Sequence, residues 1–179
     1  VTRPFAARTA AVTAVGSAVP GSAGAIVAAA LREFGTRPMV AYVDDEVRAE
    51  WWTGAEVAAA LAPLVSYLGA QKATHVIVYG KGFGVEYDLL YLACMLGGQA
   101  HAGIPEYIEA EDVLAYYRSL PRPVLVATAS HLPSLATQLP ADPVLVLADA
   151  QPWWPAAWRP LSSVHLPAPG AQEPAGAPG

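Results

Sequence analysis

Two short runs hold residues of the right type for chemistry. In Gly80-Lys81-Gly82-Phe83-Gly84, glycines precede a helix-like segment. Free N–H groups at a helix start attract phosphate and other anions. The run contains neither the GxxxxGK[ST] loop nor a complete GxGxxG, so it reads as a glycine turn with Lys81 on the surface. In Thr128-Ala129-Ser130-His131, a serine stands beside a histidine at a strand end. These are ingredients of nucleophilic catalysis. No GxSxG elbow surrounds Ser130, and neighbours in sequence are not a triad in space.

The remaining reactive side chains are dispersed. His75, His101, His131 and His165 show no HxH or HxxxH spacing, so no zinc pattern arises. The acidic run Asp44-Asp45-Glu46 reads as a solvated hairpin tip. Cys94 stands inside an apolar helix, where burial raises a thiol's pKa and makes it inert. As the single cysteine it excludes an internal disulfide and suits a reducing, cytoplasmic setting. Trp153, Trp154 and Trp158 stand among prolines in PWWPAAWRP. They either cap the sheet edge or form an exposed anchor for a protein partner, since tryptophan is favoured at interface hot spots. These three are the candidate partner interface. No catalytic, cofactor-binding or metal-ligating residue is assigned.

The elements that must position these residues follow from pattern. The chain of 179 residues suits one domain, and 54% of it is hydrophobic against 14% charged. Its net charge is -5 and its ten Lys and Arg are scattered. That argues against a nucleic-acid partner. No strongly apolar run is long enough for a membrane span. Residues 1–24 read as a flexible leader, with a signal peptide as the alternative. Residues 25–166 read as a single α/β unit, and 167–179 as a disordered Pro/Gly/Ala tail.

Helices are expected over 25–34, 53–68, 85–96, 110–120 and 131–139. Strands are expected over 39–43, 47–52, 75–79, 99–104, 124–128 and 144–147. Thr53 and Glu56 fit a capping box. Val57, Leu61, Leu64 and Leu68 recur at helical spacing and mark a buried face. The first two strands form a hairpin. The others alternate with helices, which predicts right-handed crossovers and a mainly parallel sheet flanked by helices, with His75–Tyr79 central.

The order of pieces resembles the first subdomain of the adenylate-forming superfamily: acyl-CoA synthetases, fatty acyl-AMP ligases and peptide synthetase adenylation domains. AYVDDEVRAEWWTGAEVAAALAPLVSYL gives a hairpin and a helix with a T-x-x-E start. HVIVYGKGFGVEYDLLYLACMLGGQAHAGIP gives a strand, a loop and a helix similar to the family's ALLACLKAGAVYVPL. Gly97 and Gly98 stand where the family turns tightly into the next strand, and glycine tolerates positive φ at helix ends. PVLVAT is similar to the VLLT-like strand that follows. The resemblance covers residues 25–161. Departures are GKGFG in place of a polar Asn/Ser-rich loop, His101 and Gly103 in place of larger strand residues, and EYIEAED after Pro105.

The resemblance implies half of an adenylate-forming N-domain. The family's TSGTTGxPKG loop, its later adenosine-binding acidic motif and its C-terminal lysine are not among these residues. The chain is therefore expected to be inactive alone and to bind no cofactor alone; ATP and Mg are expected only for the complete fold. The implied role is a ligase subdomain completed by a partner or by further chain. The alternative is a free-standing scaffold that docks a ligase or carrier protein. The expected partner is a complementing ligase half, a second copy or a carrier protein.

Overall fold

The computed structural model describes residues 21–43, 49–80, 85–128, 132–147 and 151–164. Helix α1 spans Ala23–Phe34, strand β1 Pro38–Val43, strand β2 Ala49–Thr53 and helix α2 Gly54–Ala70. Strand β3 spans His75–Tyr79, helix α3 Val85–Gly97, strand β4 Ala100–Ile104 and helix α4 Ala110–Ser119. Strand β5 spans Pro123–Thr128, helix α5 Leu132–Ala136, strand β6 Val144–Leu147 and strand β7 Arg159–Pro160, followed by a 3-10 turn over Leu161–Val164. Asp44, Asp45, Glu46 and Val47 lie outside the described residues, as do residues 1–20, 81–84, 129–131 and 165–179.

Local chemistry sets the boundaries. Helix α1 starts at Ala23, earlier than the expected Ala25, because the Ser22 hydroxyl accepts from the Ala25 N–H at 3.2 Å. Gly35 ends it with φ 47°. The capping box of α2 is complete. The Glu56 N–H donates to Thr53 Oγ1 at 3.2 Å, and the Thr53 N–H donates to Glu56 Oε2 at 2.9 Å. Helix α2 then runs through Pro63, which has no N–H to give the carbonyl four residues earlier. Its buried face of Val57, Leu61, Leu64 and Leu68 holds it in place.

Several ends differ from expectation. Helix α4 stops at Ser119 because Pro121 drives Leu120 to an extended ψ of 147°. Helix α5 stops at Ala136, short of the expected Leu139. At the end of α3, Gly98 alone takes a positive φ, 73°, while Gly97 remains the last helical residue.

Strands β1 and β2 pair as an antiparallel hairpin. The other five form one parallel sheet in the order β4-β3-β5-β6-β7. Strand β3 is paired on both sides, but the middle strand is β5. Strand β7 has two residues, too few for a periodic signal in sequence.

Alternating side chains send the sheet into two cores. Val76, Val78, Val124, Val126 and Leu145 pack with α1, α2, α3 and Trp52 of the hairpin. Ile77, Tyr79, Leu125, Ala127, Val144 and Val146 pack with α4, α5 and Trp158. The topology explains this division. The chain moves one way from β3 to β4 and the other way from β4 to β5. A crossover of constant hand must change faces when its direction reverses, so α3 and α4 cover opposite faces.

Candidate functional site

That reversal creates a switch point between β3 and β5, the place where open α/β sheets bind ligands beyond their carboxyl ends. Gly80 follows β3 and Thr128 ends β5 there. The Gly80 N–H donates to the Ile104 carbonyl at 3.0 Å. Its φ is 121°, and a Cβ on it would lie 2.8 Å from Thr128 Cγ2 and 3.1 Å from Thr128 Cβ. A side chain here would therefore be strained and crowded together. Gly80 and Thr128, the first residues of the two runs singled out for their chemistry, thus stand side by side at the end of the sheet. Sequence reading missed this because the two runs are almost fifty positions apart. Lys81, Ser130 and His131 lie outside the described residues.

The three tryptophans have different environments. Trp158 is buried in the chain's own second core, and its indole N–H donates to the Leu139 carbonyl at 2.9 Å. Trp154 is half-buried, 6.5 Å between ring centroids from each of the other two. Its indole nitrogen is buried without a hydrogen-bond partner among the described residues. Trp153 is 51% exposed. It lines an open cleft of about 520 Å³ with Pro133, Ala136, Thr137, Pro140 and Pro155. This wall is mainly apolar and holds no ionisable group, so it suits contact with an apolar surface rather than catalysis.

A second aromatic group lies on β4. The His101 ring meets the edges of Tyr87 at 5.5 Å and Tyr91 at 5.1 Å. Its Nε2 is buried with no hydrogen-bond partner among the described residues, and burial lowers its pKa below the ordinary value. Burial thus disfavours the charged ring, and among the described residues Nε2 meets no acid or base. Cys94 lies in the first core, where burial pushes its thiol up to about 12. A thiol with so little thiolate is inert. Among the described residues, no group of three His, Cys, Asp or Glu is placed to hold a metal ion, and no helix is long and apolar enough to cross a membrane.

No protein-family model matches the chain, and no curated protein matches it. Solved structures do. Acetoacetyl-CoA synthetase from Streptomyces lividans superposes with a TM-score of 0.61 at 20% identity, over 80% of this chain and 25% of that one. The A domain of carboxylic acid reductase from Segniliparus rugosus, in complex with AMP and a co-purified carboxylic acid, gives 0.60 at 18% identity, over 93% and 34%. The luciferase-like enzyme from the nonluminescent mealworm Zophobas morio gives 0.61 at 14% identity, over 88% and 37%. The chain spans about a quarter to a third of the length of these structures. This chain therefore shares the fold of one portion of each of these larger structures, a helix-flanked parallel sheet preceded by a hairpin.

Proposed function

We propose that this chain is a subdomain of an acyl- or aminoacyl-adenylate-forming ligase, not catalytic alone and completed by further chain or by a second polypeptide. One observation carries this reading: at least 80% of the chain superposes on only 25–37% of the enzymes it is similar to. Adenylation needs positioned phosphate binders and charge stabilisation. These residues include no TSGTTGxPKG-like run to supply them. ATP and Mg then join only the completed fold. The test is thermal denaturation with millimolar ATP and Mg. The expected result is no change in Tm and no ATP–pyrophosphate exchange by the chain alone, with exchange appearing once the complementing half is added. A rise of several degrees would overturn the reading, because a ligand of the native state must stabilise it.

A second reading is a non-catalytic docking protein for a ligase or carrier protein, in the cytoplasm. Trp153, exposed over its apolar cleft, favours it. A partner held tightly without any exchange activity, and released by Trp153→Ala, would select this reading over the first.

A further inference from the structure

The two outer strands of the sheet end it differently. Strand β7 has two residues, Arg159 and Pro160. Charge, proline and shortness are the devices that stop an edge from pairing onward. Strand β4, Ala-His-Ala-Gly-Ile, has five residues and none of these devices. Residues of a parallel ladder turn both backbone groups to one neighbour, alternately. The Ala100 N–H donates to the Thr74 carbonyl at 2.9 Å, and the Ile104 carbonyl accepts from the Gly80 N–H at 3.0 Å. Ala100, Ala102 and Ile104 therefore face β3, while His101 and Gly103 direct their N–H and C=O outward. No described strand pairs with that side.

We propose that this edge pairs, antiparallel and about a two-fold axis at Ala102, with β4 of a second copy of the chain. The register is fixed by what each alternative lacks. With the axis at Ala102, His101 stands opposite Gly103 of the second copy. Each such pair exchanges two hydrogen bonds, so four bonds satisfy every outward group of both strands. The large ring meets a residue without a side chain, and the two close-approaching central residues are alanines. An axis at His101 would pair Gly103 with Gln99, whose N–H is already given to the Cys94 carbonyl at 3.0 Å. An axis at Gly103 would pair His101 with Pro105, which has no N–H. Self-complementarity of this kind is what a two-fold interface requires. Tyr91, 41% exposed and packed on His101, adds apolar surface beside the strand. This inference stands independently of the ligase reading.

The test is sedimentation equilibrium of the full chain over a micromolar concentration series. The expected mass doubles with concentration. The axis sets residue 102 opposite itself, so Ala102→Lys and Ala102→Glu should each weaken association by about tenfold or more, and an equimolar mixture of the two should restore it. A wild-type chain that stays monomeric, or single variants that dimerise as well as wild type, would overturn the proposal. Should the charge variants lose cooperative melting, Ala102→Cys decides. Oxidation should link two copies through residue 102, with buried Cys94 unable to compete, and no linked dimer would equally overturn it.

Discussion

The backbone of Gly54 presses on that of Leu31: a Cβ at Gly54 would sit 2.7 Å from the Leu31 carbonyl oxygen and 2.9 Å from the Gly35 amide nitrogen. The contact locks the start of α2 against the end of α1, and the Ala55 N–H donates to the Gly35 carbonyl at 2.7 Å.

Because both opposing atoms are backbone, neither can swing away. Gly54→Ala should destabilise the fold by about 2 kcal/mol, an overpacking cost. Gly69, in the same helix, is exposed and has nothing within 4 Å of its absent Cβ. Gly69→Ala should stabilise by about 0.5 kcal/mol, the helix-propensity gain. Urea midpoints of the two variants moving in opposite directions would establish the contact.

The Thr53–Glu56 capping box supplies a second prediction. Thr53→Ala should cost about 1 kcal/mol, since it leaves the Glu56 N–H without its acceptor. Glu56 also accepts from the Thr53 hydroxyl at 2.9 Å. The double variant should therefore cost less than the two single costs added together, as read by urea denaturation.

Trp158 and Trp153 should separate cleanly. Trp158→Phe leaves the buried Leu139 carbonyl without its donor and opens space in the second core, so a loss of about 2–3 kcal/mol is expected. Trp153→Ala removes an exposed ring and should change stability by about 0.5 kcal/mol or less. Equal losses would contradict the division between core and surface.

His101 should make the fold acid-sensitive. Burial lowers its folded pKa below the 6.5 of the free side chain. As pH falls, the unfolded chain takes up the proton first. Stability is therefore complete above about pH 6.5 and is lost as pH drops through the folded pKa. His101→Phe keeps a ring between Tyr87 and Tyr91 but cannot titrate. Its Tm should fall less than that of wild type between about pH 7.5 and about pH 5.

Periodicity and capping made most of the fold legible. Alternating strands and helices gave the parallel sheet, Asp44-Asp45 marked a hairpin between strands that the structure pairs, and Thr53-x-x-Glu56 marked the start of α2. What stayed hidden depends on distant neighbours. Arg159 and Pro160 become a strand only because β6 lies beside them. Trp158 is buried only because Leu139 and the second sheet face meet it. The nearness of Gly80 to Thr128 follows from strand order, which no local pattern encodes; the sole trace was a glycine where a strand ends. Proline-bounded ends were readable in principle, since Pro121 stands right after Leu120.

The interleaving of the two cores has a consequence for biosynthesis. Strand β6 gives Leu145 to one core and Val144 and Val146 to the other. As the ribosome releases the chain, α1, α2 and α3 emerge well before β5 and β6 can cover them. Leu61, Leu64, Leu68, Leu89 and Leu90, all buried at the end, remain uncovered in the nascent chain through that interval. Trp158 belongs to one core and Leu161 to the other, so the two cores are complete only once residues 158 and 161 have left the exit tunnel, and the apolar surface stays open through nearly all of synthesis.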